Sequence, residues 1–536
     1  MKKSNFILAF AISFGIGMLY FYMNKSSTEN TYININSLWQ PSPMAFNSST
    51  QNTKESAFDP TDAKKYEKYL TKYTPGYDKN CVLTLPNKYI GEGDFPLKIP
   101  GDNEMNSLSH DVISCLYHRY VTTIQTFCAF KDRAGEVKRN GWYICADPAY
   151  VPKQNCLVFL SNKAFPESTF SADMTSRYKC QVHSTPFSST ETLKSSMEKT
   201  MTAGRVVDIL TLSLNRTSDL VFIKTMIKDK SIQKVKQLLL ELHFDPKVTK
   251  TEEYVQILKH LRMIHNEGLR ITWFDRLIHC ATNRYNKCYA IYFVQPNLRD
   301  KTKGPTVVNF PTVKAIQRMK SDAIGNLFFK YIETTQFFCQ HILRIGRITD
   351  GGWDVCHDRM MTYKDPCLVY SFGVFTDLSF DDEIAATYNC KVHAFDPTTP
   401  FGTHQHAPRV WFHRLGIGTK YSKFSNGFVA PLQKIRADLH HQSSSIAVFK
   451  ADVEGAEWSS VPHMIDTNQL NDVSQLFLEF HGWGDSPHEL IVLKKLHDAG
   501  FRIFWYHINP ACTFNKNLPR RSKCQEVYFI NTKFQP

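Results

Sequence analysis

Short apolar runs separated by stretches of helical periodicity lay out the C-terminal half of the chain. Leu368–Phe372, Val392–Phe395, Ile446–Phe449, Leu476–Phe480, Phe501–Tyr506 and Glu526–Ile530 read as strands. Tyr331–Ile348 carries apolar residues at helical spacing. Ser486 and Pro487 open a helix as N-cap and first-turn proline, and Gly500 closes it. Ser379 followed by Asp382 has the spacing of a capping box at the head of another helix. Strands alternating with helices predict an α/β fold with a largely parallel sheet, in which ligands bind at the carboxyl ends of strands.

The same pattern occurs twice. Gly141-Trp-Tyr-Ile-Cys145 recurs as Gly352-Trp-Asp-Val-Cys356, and Tyr178-Lys-Cys180-Gln-Val-His183 as Tyr388-Asn-Cys390-Lys-Val-His393. Gln237-Leu-Leu-Leu-Glu241-Leu-His243 matches Gln475-Leu-Phe-Leu-Glu479-Phe-His481, and Leu269-Arg-Ile-Thr-Trp273 matches Phe501-Arg-Ile-Phe-Trp505. Matches in one order point to a domain written twice. Of the 14 cysteines, six in each copy correspond, and Cys81 and Cys115 are left over. Three bridges within each copy are expected, Cys512 with Cys524 among them, and one more closing the leader of the first copy. No CxxC spacing occurs, which removes the commonest zinc pattern and favours disulfides in an oxidising compartment.

The N-terminus supports that address. Phe6–Met23 is free of charge and preceded by Lys2 and Lys3, long enough to cross a bilayer as a signal anchor with the bulk of the chain in the lumen. Residues 24–78 are polar and without periodicity, which reads as a flexible stem. Asn47 and Asn215 sit in glycosylation sequons. The chain carries 64 basic and 50 acidic residues, a net +14. No Lys/Arg run or nucleic-acid motif accompanies that charge, so a generally basic surface, not a nucleic-acid partner, is the reading.

The candidate chemistry lies in the second copy. Lys450-Ala-Asp-Val-Glu-Gly-Ala-Glu-Trp458 places Asp452, Glu454 and Glu457 at the end of a strand, and Glu479 and His481 end the next one. Gly373 permits a tight turn after the first strand, and Asp396 ends the second, where nucleotide-binding folds hold ribose hydroxyls. In the first copy Leu160-Ser-Asn162 stands opposite Ser371-Phe-Gly373, and Ser213-Leu-Asn-Arg-Thr-Ser218 opposite Asp452–Glu457. Its site has lost the carboxylates, so they are not required by the fold. His404, His406, His440 and His441 read as surface histidines in loops. Trp353, Trp411, Trp483 and Trp505 read as core, with Trp483 also able to stack on a sugar.

Gly352-Trp-Asp-Val-Cys356, Val369-Tyr-Ser-Phe-Gly373, Cys390-Lys-Val-His-Ala-Phe-Asp-Pro397 and Lys450–Glu457 together resemble the secretory-pathway branch of the FkbM-like, S-adenosylmethionine-dependent methyltransferases, including the methyltransferase-like 24 group. The resemblance implies two tandem Rossmann-like domains, each a three-layer αβα unit, after an N-terminal transmembrane helix. The expected bounds are an anchor at 1–23, a stem at 24–78, a degenerate copy at 79–298, a linker at 299–324 and the methyltransferase domain at 325–536. It further implies that Ser371, Gly373, Asp377 and Ser379 line the pocket for S-adenosylmethionine and that Asp396 binds its ribose. Asp452, Glu454, Glu457, Glu479 and His481 are then the available proton acceptors, with Asp452 or His481 as the base and Glu454 and Glu457 orienting substrate or a divalent ion such as Mg²⁺. The expected activity is O-methylation of a hydroxyl-bearing acceptor, with a glycan as the candidate carrier, by a type II lumenal membrane protein. A lumenal glycosyltransferase using Asp452 and Glu454 as a metal motif, and an inert scaffold, are the alternatives.

Overall fold

Runs of Val, Ile, Leu and Phe too apolar to face water on either side build the two main sheets. The computed structural model describes residues 64–73, 99–136, 139–161, 169–185, 192–277, 280, 286–363, 367–509, 512, 514–515 and 518–534. The expected anchor at Phe6–Met23, most of the stem, Cys81 and Asn47 lie outside the described residues. Among the described residues no helix is long and apolar enough to cross a membrane.

The first sheet contains β1 (Leu157–Ser161), β2 (Gln181–Thr185), β3 (Val207–Leu214), β4 (Val235–His243), β5 (Arg270–Arg276) and β6 (Cys288–Val294). Its order is β2-β1-β3-β4-β6-β5, parallel throughout except that β6 runs against both its neighbours. The second sheet contains β7 (Leu368–Phe372), β8 (Lys391–Phe395), β9 (His404–Ala407), β10 (Val410–His413), β11 (Ile446–Ala451), β12 (Val473–His481), β13 (Phe501–Ile508) and β14 (Cys524–Asn531). Its order is β9-β10-β8-β7-β11-β12-β14-β13. From β8 onward this is the order of the first sheet, with β14 antiparallel where β6 is. Val369 and Val448 join one apolar core and Tyr370, Phe372 and Phe449 another, so the second sheet is covered on both faces.

Four helices matter for the site: α1 (Ser321–Ile332), α2 (Ser379–Tyr388), α3 (Glu457–Asp466) and α4 (Pro487–Ala499). Helix α4 starts and stops as expected, with a capping box between Ser486 and Glu489 and Gly500 left-handed at φ +106°. Two expectations are corrected. The Tyr331–Ile348 stretch is helical only at its start, where α1 ends at Ile332. Ile342–Ile345 then pairs antiparallel with Trp353–Cys356, because β-branched residues precede a turn at Gly346 and the Cys339–Cys356 disulfide ties the two strands. The head of α2 is not capped by Ser379 and Asp382. Asp377 accepts the Ser379 N–H instead (2.9 Å), a two-residue reach that an aspartate makes readily.

The cysteines pair within each half as expected: Cys128–Cys145, Cys156–Cys180 and Cys280–Cys288, then Cys339–Cys356, Cys367–Cys390 and Cys512–Cys524. Disulfides in this number fit an oxidising compartment. Cys115 is buried and joins no described cysteine. The stem expectation is corrected at residues 64–73, which lie along the second half because their backbone and tyrosines find partners there. Thr71 N–H donates to Thr376 O (2.8 Å), and the Tyr73 hydroxyl donates to Gly346 O (3.1 Å) and to Glu383. Tyr66 and Leu70 pack against the cluster of Val374, Leu378 and Phe401.

The halves meet at the outer strands β5 and β13. Trp273 and Trp505, both buried, stack with ring centroids 3.5 Å apart. Gln125 N–H donates to Ile271 O (2.7 Å) and Gln336 N–H to Ile503 O (2.6 Å), so each outer strand is covered by a loop of its own half. Because the two indoles bury each other, Trp273→Ala and Trp505→Ala should each lower stability by about 3–5 kcal/mol, and the double variant by clearly less than the sum. Urea unfolding of the four-member cycle checks this; strict additivity would show that the rings stabilise their own halves independently.

Candidate functional site

The order of the second sheet creates the site. From β7 the chain goes to β8 on one side and returns to β11 on the other, so a crevice opens beyond the carboxyl ends of β7 and β11. There the two backbones touch. Gly373 is left-handed at φ +74°, and a Cβ added to it would overlap the Asp452 carbonyl oxygen. The Asp452 N–H donates to Phe372 O (3.1 Å), and the Gly373 N–H to Phe395 O (2.8 Å). Only glycine allows this approach.

On the β11–β12 side, Asp452, Glu479 and His481 have ligand atoms all within 4.8 Å of one another. His481 Nδ1–H donates to Glu457 Oε1 (3.2 Å), while Nε2 faces Asp452 Oδ1 at 3.8 Å and Glu454 Oε2 at 3.5 Å. Glu457 is fully buried and also accepts the N–H groups of Val453 (2.9 Å) and Gly455 (2.8 Å). It therefore builds the turn and orients the imidazole, and its complete burial keeps it from meeting a substrate. Glu454 sits at the tip of that turn with a positive φ of +55° and its side chain 87% exposed. Glu479 lies on β12, inside the sheet, and accepts Asn509 Nδ2–H (3.0 Å), so it is no cap of a sheet edge.

Crowding sets the protonation states. Burial pushes the Asp452 carboxyl up to about 6 against the pull of Lys450 and His481, with Glu457 and Glu454 adding to the rise. Burial and the neighbouring Asp452 and Glu526 hold the Glu479 carboxyl well above the usual carboxylate range, so it is neutral at pH 7. Burial alone would lower His481, but the hydrogen bond to Glu457 and the charges of Glu457 and Asp452 outweigh it and raise the imidazole to about 9.

On the β7–β8 side, Asp396 is buried and already holds three donors. Oδ2 accepts Phe375 N–H (2.9 Å), and Oδ1 accepts the N–H (2.7 Å) and hydroxyl (2.6 Å) of Thr398. A carboxylate has about four acceptor positions, so about one stays open. Ser371 is fully buried, and its hydroxyl is turned to the Asp381 carboxyl. Asp377 and Ser379 do not join this group. Asp377 pairs with Arg347 Nε (3.1 Å), and Ser379 Oγ accepts Arg347 N–H (3.3 Å), so both brace the loop from behind. The histidines read from the sequence as surface residues are corrected in part. His404 is buried on β9 because that strand closes the sheet, and His441 is held at 2.7 Å from the Tyr370 hydroxyl.

Sequence reasoning missed the role of Asp381, buried in the first turn of α2, and of Lys450, whose ammonium lies under the Gly373 turn. Charged residues at positions that ought to be apolar were the available signal.

In the first sheet the register places Ser213 where Asp452 stands, Thr211 where Lys450 stands and Leu160 where Ser371 stands. Glu241 and His243 remain, 3.2 Å apart, with Ser213 donating to Glu241 (3.2 Å). Asn215 is exposed beside them.

A family model described as a methyltransferase domain matches residues 271–531, from the last strands of the first sheet through the whole second sheet. The probable methyltransferase-like protein 24 of Homo sapiens is 26% identical over 272 residues, covering 45% of this chain and 73% of that protein. That of Rattus norvegicus is 28% identical over 246 residues, covering 40% and 67%. Among solved structures, the Haemonchus contortus phosphoethanolamine N-methyltransferase 2 in complex with S-adenosyl-L-methionine aligns with 70% of this chain and 95% of its own, at 9% identity and a TM-score of 0.21, too remote to bear on the site. By its second half the chain carries a methyltransferase domain, and it is a relative of the methyltransferase-like 24 group.

Proposed function

We propose that the second half is an S-adenosylmethionine-dependent O-methyltransferase acting on a hydroxyl-bearing acceptor, with a glycan as the expected carrier. The first half is a copy of the same domain without a catalytic site. A single N-terminal helix at Phe6–Met23 would hold the protein in a secretory membrane, facing the lumen. The observation that carries the reading is the convergence of Asp452, Glu479 and His481 beside the Gly373 turn, at a position where the first sheet keeps the glutamate and histidine but has Ser213 for the aspartate.

The residues fit the cofactor. The open acceptor position on Asp396, beside the Gly373 turn, suits a ribose hydroxyl. When bound, S-adenosylmethionine supplies an electrophilic methyl group. The chain's part is to align the acceptor oxygen and take its proton. With His481 protonated up to about pH 9, the free base is Asp452, ionised above about pH 6. His481 is the oriented cation beside it, and Glu457 fixes its direction. Mg²⁺ is not given a step, because a site containing an imidazole nitrogen suits a cation that demands oxygen ligands poorly.

Methyl transfer from labelled S-adenosylmethionine to a panel of glycan and small hydroxyl acceptors tests the reading, with calorimetry of S-adenosylhomocysteine and UDP-sugars beside it. Asp452→Asn should lower kcat by ~10²–10⁴-fold. A protein that binds UDP-sugars and no S-adenosyl ligand would be a glycosyltransferase instead.

The charges add a pH signature. The rate should rise as Asp452 ionises near pH 6 and fall as His481 loses its proton near pH 9. Because the folded imidazole lies above the ordinary ~6.5, its contribution to stability is complete below ~6.5 and disappears as pH rises through about 9. NMR titration of His481 should give a midpoint near 9 that drops in Glu457→Gln; an ordinary midpoint in the wild type would remove the assigned roles.

A further inference from the structure

Lys450 is a charge in the middle of a sheet. It lies on β11 beside Ser371 of β7, is only 4% exposed, and stands 5.1 Å over the ring of Trp353. Its ammonium donates to Phe372 O (3.2 Å) and Gly373 O (3.0 Å), the two carbonyls at which β7 gives way to the site turn. Burying an ammonium is costly unless a counter-charge is near. Asp381, 1% exposed in the first turn of α2, supplies a carboxyl on which Lys450 and Ser371, opposite each other across β7 and β11, both act. Burial pushes its carboxyl up to about 7, and Lys450 is the strongest influence opposing the rise. The Ser371 hydroxyl also reaches this carboxyl, and the link from Lys450 itself is Coulombic.

The first sheet supplies the control. There the position beside Leu160 on β3 is Thr211. Thr169 Oγ1 accepts Glu136 N–H and Asp173 accepts Gly135 N–H, as Ser379 accepts Arg347 N–H and Glu383 accepts Gly346 N–H. That places Ser171 where Asp381 stands. The surrounding framework persists without either charge, so the fold does not require the pair. In the site turn of the second half, Phe375 holds a positive φ of +43° and gives its N–H to Asp396 (2.9 Å). A bulky residue in that region is strained and needs surroundings that enforce it.

We propose that Lys450 and Asp381 form a buried positioning pair that holds the Gly373–Phe375 turn in its ligand-binding shape, with Lys450 fastening the carbonyls and Asp381 keeping the ammonium in place. The pair acts through the turn and touches no reacting atom. The proposal rests on the reading of this crevice as the S-adenosylmethionine site, and on nothing about the acceptor.

The test uses the full chain with S-adenosylhomocysteine calorimetry and hydrogen exchange of the peptides that span the turn. Losing a hydrogen bond from a charged donor should weaken binding about tenfold or more in Lys450→Met and speed exchange of the Gly373–Phe375 amides by a similar factor. Exchange in β12 should stay unchanged, Lys450→Arg should recover most of the affinity, and Thr211→Val in the first half should change neither readout. Asp381→Asn, which keeps shape and removes charge, should move both readouts in the direction of Lys450→Met and serves alone if that variant does not fold. Wild-type binding and exchange in the variants, or exchange that rises equally across the sheet, would overturn the pair. Wild-type protein that fails to bind S-adenosylhomocysteine would instead reject the cofactor reading, while exchange at the turn would still decide the pair.

Discussion

The backbone contact between Gly373 and Asp452 is the constraint on which the site depends. Two parallel strands end side by side there, and the chain leaves them in different directions, β7 toward α2 and β11 toward α3. A side chain at residue 373 would force the strand ends apart and carry Asp452 away from His481. Closeness has an electrostatic consequence. Several acidic groups and one imidazole share a partly buried space, so the protons are distributed unevenly, with Asp452 ionising near pH 6 while Glu479 and His481 hold theirs. Unequal protonation of neighbouring groups is what separates a base from an orienting cation.

Much of this was legible in the sequence, for a physical reason. Strands buried on both faces must be continuous apolar runs, so β7, β11, β12 and β13 stand out, and the capped helix α4 announces itself by Ser486, Glu489 and Gly500. The acids at Asp452, Glu454 and Glu457 were visible because a related stretch lacks them. Their division of labour was not, since Glu457 turns inward to the N–H groups of Val453 and Gly455 while Glu454 points outward, a difference set by φ angles and not by residue type. Strands β9 and β10 are short and rich in histidine, which hides them from a search for apolar runs. Tyr331–Ile348 misled because Ile and Leu at helical spacing also suit a hairpin once a disulfide and Gly346 set the turn. The segment 64–73 looked unstructured because its attachment is made by backbone groups and hydroxyls, which leave no pattern.

The contacts of 64–73 bear on the site directly. Thr71 holds Thr376 and Tyr73 holds Gly346 and Glu383, so the segment ahead of the first half braces the same loop that Lys450 fastens from below. Arg347 ties the arrangement together, donating to Lys72 O (3.3 Å) and pairing with Asp377. A loop with one glycine has more backbone freedom to lose than its short length suggests, and here side chains on three sides remove it.

The join between the halves is built from packing and backbone bridges, not from the charged groups at the strand ends. Isolated bridges link Thr123 to His341 and Thr334 to Phe130, a reciprocal pattern: the same two positions exchange contacts in both directions. Trp273 meets Trp505 between them. Such reciprocity is the mark of a self-complementary interface between equivalent units, here within one chain. Outer strands β5 and β13 would otherwise offer open edges and two large indoles to solvent, and β13 is only two strands from the Glu479 and His481 ends of β12. Residues that cover this edge are held by packing in both halves, whereas Thr211 and Ser213 stand on β3, inside the first sheet and away from it.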